Sequence, residues 1–425
     1  MKQKALTILS PVIPAGVERL DQFLTGLGNH VAEQKVIPFE QLDLLHYAAW
    51  IIIRNEEFGP QLVFESNFDG EPEAFLDQLV THARKGLDQI YQFCPGYPRT
   101  APEDIRKYLL DRADYTDSFY IGCVGLSRNR IRAEEELRRQ IAGFLDKIPP
   151  GTNDAAATRR RIQDFVCNEP KLQWALTPPE APPLRQRLPT WARWLILIGA
   201  VVALLILLPI LLVILLSLSV VLWRKERTDR TRIIPPQSPY LRKLKDREDH
   251  RPQNHLATIN DLKPGWFRFF LLKAVLAVVK LLARWIEIKG KLSDIPSIHF
   301  ARWVVIRQGK SRALWRNRRL LFLSNFDGSW EGYLGEFIDL AAIGLTAIWS
   351  NVVNFPKTRF LFFQGAQREQ EFKAEARNSQ VSSLLWYSAY PFLSVTNILN
   401  NAEIRKNLWK AMDNKKELEA WLRRF

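Results

Sequence analysis

The pentapeptide Ser66-Asn67-Phe68-Asp69-Gly70 (SNFDG) returns letter for letter as Ser324-Asn325-Phe326-Asp327-Gly328. Three further matches keep the same order along the chain. Thr7-Ile8, Pro14, Gly16 and Arg19 correspond to Thr258-Ile259, Pro264, Gly265 and Arg268; HYAAWIIIR (46–54) corresponds to HFARWVVIR (299–307); and Leu126-Ser127, Ile131, Glu136 and Arg138 correspond to Leu393-Ser394, Ile398, Glu403 and Arg405. Four collinear matches indicate an internal repeat, with short insertions in the second copy, such as the basic stretch near Trp315, absorbing the drift in spacing.

Each copy reads as strand, helix, strand, strand, helix, then a last strand and helix. HYAAWIIIR and LVFESNF are rich in β-branched and aromatic residues, and Asp69-Gly70 supplies the turn that closes the second run. EAFLDQLVTHARKGLDQIY has apolar residues at helical spacing. This order predicts an α+β fold of two tandem ferredoxin-like modules whose sheets pair into one intramolecular α+β barrel. The expected organisation is a first module at 1–150, a linker at 151–193, a hydrophobic membrane segment at 194–223, a basic linker at 224–254 and a second module at 255–425.

The segment Trp194 to Trp223 contains no charged residue. It exceeds the roughly 20 residues that a spanning helix needs. A single crossing would separate the two modules. A re-entrant hairpin turning at Pro209, a second crossing by 265–288, or a barrel formed between chains would each remove the conflict. The 265–288 run carries Lys273, Lys280 and Arg284 on one side and reads as an amphipathic module helix that also suits a membrane surface. Basic residues flank both ends of the apolar segment, which predicts a membrane protein with both modules on the cytoplasmic side.

The chain has 425 residues, 47% of them hydrophobic and 25% charged, with a net charge of +15. Many cations border the apolar segment, among them Arg193, Arg224, Lys225 and Arg227, so membrane lipids are the expected partner and nucleic acid is disfavoured. Cys94, Cys123 and Cys167 are three in number with no CxxC spacing, which points to neither a disulfide framework nor a zinc site. Oligomeric state is not legible.

Alternate residues of a strand share a face. On that count His46, Trp50 and Arg54 lie together, as do His299, Trp303 and Arg307, while Asn67 with Asp69, and Asn325 with Asp327, share a face of the next strand. Directed inward, Asp327, Arg307, Asn325, Asp69 and Arg54 form a candidate catalytic set for proton transfer, and His299 and His46 are candidate cofactor ligands. No metal site is expected. Each residue also has a plain structural reading, Asp-Gly as a strand-to-helix turn and a buried His as a hydrogen-bonded core residue. HExxH, P-loop, GxSxG and GxGxxG patterns are all missing, which weighs against the standard hydrolase and kinase classes.

The repeated module resembles the dimeric α+β barrel superfamily, and SNFDG is similar to the GxxDG motif of dye-decolorising haem peroxidases. The resemblance implies a distal aspartate at Asp327 or Asp69, with Gly328 or Gly70 as the motif glycine and Arg307 or Arg54 as the arginine beside it. Ser324 and Ser66 replace the first motif glycine, and no histidine is matched by motif to the iron ligand. The second copy also resembles a widespread set of uncharacterised bacterial proteins that carries no activity to transfer. The functional expectation is a membrane-anchored barrel acting as a haem-dependent, peroxidase-like oxidoreductase on a hydrophobic small molecule. The alternative is a non-catalytic lipid-binding or scaffolding module.

Overall fold

Runs rich in β-branched and aromatic residues form strands, and the helically spaced runs form the helices that cover them. The computed structural model describes residues 2–33, 35–114, 116–148, 154–177, 216–229, 238–246, 248, 251–286, 295–309, 313–412 and 414–425. The first half contains β1 (Gln3–Pro11), α1 (Val17–Asn29), β2 (Leu45–Ile53), β3 (Gln61–Asp69), α2 (Pro72–Tyr91), α3 (Pro102–Leu110), β4 (Ala113–Asp114), β5 (Ser118–Ile121), α4 (Arg128–Leu145) and α5 (Ala155–Asn168). Between the halves lie α6 (216–228) and α7 (Ser238–Lys245). The second half contains β6 (Gln253–Asp261), α8 (Trp266–Ile286), β7 (Ile298–Arg307), β8 (Arg318–Asp327), α9 (Trp330–Trp349), β9 (Thr358–Arg359), β10 (Phe363–Gln364), α10 (Glu369–Ser379), β11 (Ser383–Ser388), α11 (Val395–Leu408) and α12 (Lys415–Leu422).

Two main antiparallel sheets result, ordered β11-β2-β3-β1-β4 and β5-β7-β8-β6. Each borrows its edge strand from the other half. β5 pairs with β7, and β11 pairs with β2, so neither half closes its sheet alone. The long central pairings correspond closely, since Gln3 lies opposite Asp69 and Gln253 opposite Asp327.

The sheets pack face to face through Ile51, Ile53 and Val63 on one and Val304, Ile306 and Leu321 on the other. Their outer faces meet helices. Trp50, Phe64 and Phe68 are buried with residues of α1 and α2, and Trp303, Phe322 and Phe326 with residues of α8 and α9. A third apolar cluster joins α4, α5, α11 and α12 through Leu137, Ile162, Leu408 and Trp421. Residues 155–168, expected to be linker, are therefore a packed helix.

Among the described residues, α9 is the one helix long and apolar enough to cross a membrane. Its inner side, including Phe337, Ile338 and Leu345, belongs to the core of the second half. A buried core helix meets the same criterion. The charge-free stretch up to residue 215, with the bend expected at Pro209, lies outside the described residues.

Candidate functional site

The repeated aspartates are helix anchors. Asp69 Oδ2 accepts the backbone N–H of Arg128 at 2.8 Å, at the first residue of α4, and Asp327 Oδ2 accepts that of Val395 at 2.7 Å, at the first residue of α11. Their other oxygens face histidines, with Asp69 Oδ1 3.1 Å from His46 Nε2 and Asp327 Oδ1 2.7 Å from His299 Nε2. The glycine that follows has φ of +87° at Gly70 and +81° at Gly328. A side chain at that φ would be strained, which explains the glycine. Its N–H donates to Lys2 O in one half and Pro252 O in the other. SNFDG thus recurs because it ends a strand, turns the chain and holds a distant helix at its N-terminus, where unpaired N–H groups and the helix dipole favour a carboxylate.

The histidines reach these aspartates through a change of register. The β2–β3 ladder shifts between Leu45 and Tyr47, and the β7–β8 ladder shifts between Ile298 and Phe300. A bulge puts one unpaired residue into a strand and re-aims its side chain. This overturns the strict alternation that places His46 with Trp50 and Arg54, and His299 with Trp303 and Arg307. Trp50 and Trp303 are core residues of the helix-covered faces. Arg54 lies outside, bonded to Glu18 and Asp21 of α1, and Arg307 is exposed at the end of β7, opposite Arg318. Neither arginine joins the aspartates. The face expected for β3 and β8 is as read: Phe64 and Phe68 pack toward helices, while Glu65, Asn67, Asn325 and Asp327 alternate with them. Asn325 accepts the Trp386 indole N–H at 2.8 Å.

His46 and His299 share one aromatic cluster with Tyr47, Phe300 and Tyr390. His46 Nδ1 is 2.8 Å from the Tyr390 hydroxyl. Burial, first, and then neighbouring ionisable groups push the Tyr47 and Tyr390 phenols well above their ordinary range. Both phenols are neutral at any ordinary pH. The residues do not fit haem: His46 Nδ1 is bonded to Tyr390, its Nε2 faces the Asp69 carboxylate at 3.1 Å, and both imidazoles are buried among aromatic rings.

A different polar group lies between the sheets. Arg302 of β7 donates to the Glu65 carboxylate of β3 at 2.5 Å and to the carbonyls of Leu6 and Ser66 at 2.9 and 3.1 Å. The other Glu65 oxygen is 2.6 Å from His255 Nε2 on β6. His255 Nδ1 is 2.5 Å from Ser383 Oγ on β11. Burial alone would raise the Glu65 carboxyl, but His255 in its protonated form and the Arg302 guanidinium outweigh it and hold the group down at about 2. Ser383 and His255 line a cleft of about 360 Å³ with Trp386, Asn29 and Arg251.

None of Glu65, Arg302, His255 and Ser383 stood out in the sequence, because each comes from a different strand and no short motif contains two of them. The available signal was a departure within the repeat: HYAAW in one copy stands against HFARW in the other, which sets Ala49 against Arg302. Comparison with protein-family models, curated proteins and solved structures gives no match to this chain.

Proposed function

We propose that the chain is a membrane-anchored α+β barrel of two tandem ferredoxin-like modules that binds the lipid surface on the cytoplasmic face. The observation that carries this reading is where the apolar segment meets the fold. Its C-terminal end continues into α6, and α6 is latched to the second half. Glu226 accepts from Thr358 Oγ1 and from the backbone N–H groups of Phe360 and Leu361 at 2.8–3.0 Å. Asp229 binds Lys263 and Arg268. Leu222 is buried with Phe267, Ala347 and Leu361.

Around this latch the outer surface is apolar. Trp223 on α6, Trp266, Phe270, Val278 and Leu281 on α8, and Phe360, Phe362 and Phe363 near the β9–β10 hairpin are all exposed, Phe363 by 57% and Phe270 by 49%. Water-facing helix surfaces are ordinarily polar, and an apolar patch of this kind marks an interaction surface. Exposed Arg224, Lys225, Arg227, Lys357 and Arg359 lie on the same elements, the pairing of aromatics and cations that suits an anionic lipid interface. Exchange of β5 and β11 supports one folded unit from both halves, with both ends of the apolar segment on one side of the bilayer. A haem-dependent oxidoreductase finds no support in the geometry of His46 and His299.

The test uses full-length protein in nanodiscs of anionic lipid, with nitroxides placed one at a time at positions 270, 363 and 18. Oxygen and a water-soluble nickel chelate report depth. Positions 270 and 363 should collide preferentially with oxygen and position 18 with the chelate. Chelate access at 270 and 363 equal to that at 18 would end the reading.

A further inference from the structure

We propose that Ser383 is a nucleophile with His255 as its general base, and that the adjoining cleft takes a small carboxylic ester for acyl transfer to water. By its charge the Glu65 carboxylate, 2.6 Å from His255 Nε2, favours the tautomer with the proton on that nitrogen and leaves Nδ1 to accept the Ser383 hydroxyl proton. This is the arrangement an alcohol nucleophile needs: a base within hydrogen-bond reach and a third group that orients the base. Arg302 holds the carboxylate through one oxygen and leaves the other to His255, which makes Glu65 and Arg302 positioning residues.

The second observation is that the group occurs once. Across the β7–β8 and β2–β3 ladders, Arg302 corresponds to Ala49 and Glu65 to Leu323. Across β6–β8 and β1–β3, His255 corresponds to Ala5. The other side of the intersheet space is built from alanine and leucine at these places, so charge there is not part of the frame that the two halves share. Burying Glu65 and Arg302 carries a desolvation cost that well-packed apolar residues avoid. The cleft lies on this side, with Ser383 and His255 in its wall.

In the reaction Ser383 Oγ adds to the ester carbonyl carbon while its proton passes to Nδ1. The carbon–oxygen bond to the alcohol then breaks, and the alcohol departs with that proton. Water adds to the acyl-serine, giving a proton to Nδ1, and the carboxylic acid leaves as Ser383 recovers its hydrogen. Ester and water become acid and alcohol, with no change in oxidation state. Arg251 and Asn29 line the cleft and supply the N–H groups on hand for the developing oxyanion.

The inference is independent of lipid binding, because full-length protein in detergent meets soluble probes. A short-chain fluorophosphonate should give one adduct, mapped to Ser383, which Ser383→Ala removes. His255→Ala should slow labelling and p-nitrophenyl butyrate hydrolysis by about 100-fold or more. No adduct, or one that survives Ser383→Ala, overturns the proposal. In Ser383→Cys the new thiol should react with iodoacetamide faster than the exposed Cys167, and His255→Ala should abolish that advantage. Equal reactivity of the two thiols would show that His255 is not acting as a base, and the proposal would fail.

Discussion

The corners where His46 meets Asp69 and where His299 meets Asp327 are built alike, whereas the Glu65–Arg302–His255 group has alanine and leucine as its counterparts. Chemistry that recurs in both halves serves what both halves must do, which is to end a strand and hold the helix that follows the exchanged strand. Chemistry present on one side only is not accounted for by the frame that the two halves share. Function is better sought in the unrepeated group, and the repeated aspartates are better read as architecture.

The largest effect that could break this contrast comes from Arg302→Ala. It leaves a buried carboxylate without its guanidinium and should cost about 3–5 kcal/mol in denaturant unfolding. The triple substitution Glu65→Leu, Arg302→Met and His255→Leu, which replaces the charged group by apolar side chains of similar volume, should stay within about 1–2 kcal/mol of the parent. A triple variant as unstable as Arg302→Ala would mean that the fold does depend on the charges.

A smaller effect should follow pH. The Glu65 carboxyl titrates at about 2 in the folded chain against an ordinary 4.5. Since the folded value is depressed, its contribution is fully present above about 4.5 and is lost as pH falls toward 2, a change of roughly 3 kcal/mol. Unfolding followed from pH 6 to 2 should show this loss in the parent, and the triple variant should lack it. Identical acid sensitivity in both would assign the loss to other carboxylates.

The smallest effects sharpen the repeated side. Asp69→Ala strips the acceptor from the first N–H of α4 and removes the carboxylate beside His46, and should cost about 2–3 kcal/mol. Asp327→Ala should move thermal stability in the same direction by less, because the Asp327 side chain is 15% exposed against 2% for Asp69. Insensitivity at either position would separate the two corners.

Much of the frame was legible in the letters. Alternation placed Asn67 and Asp69 on one face of β3 and Phe64 and Phe68 on the other, because nothing interrupts the pleat there. The same rule failed one strand earlier, since the bulge at His46 depends on how β2 registers against β3 and leaves no local mark in HYAAWIIIR. Arg54 and Arg307 were drawn into the candidate site by that uninterrupted count. The helices α3 and α5 went unread, as short polar segments whose apolar residues find their partners only across the fold.

By itself, then, the sequence determined the repeat, the faces of the two central strands, and a charge-free stretch with cations at its ends, all of them properties of neighbouring residues and their period. Tertiary structure decided the exchange of β5 and β11, the turning of the histidines toward the aspartates, and the meeting of Ser383, His255, Glu65 and Arg302. Those four residues come from four strands, with Arg302 and Glu65 237 positions apart and Ser383 and His255 128 apart. Contacts at such separations are set by strand register and sheet packing, which no local pattern encodes.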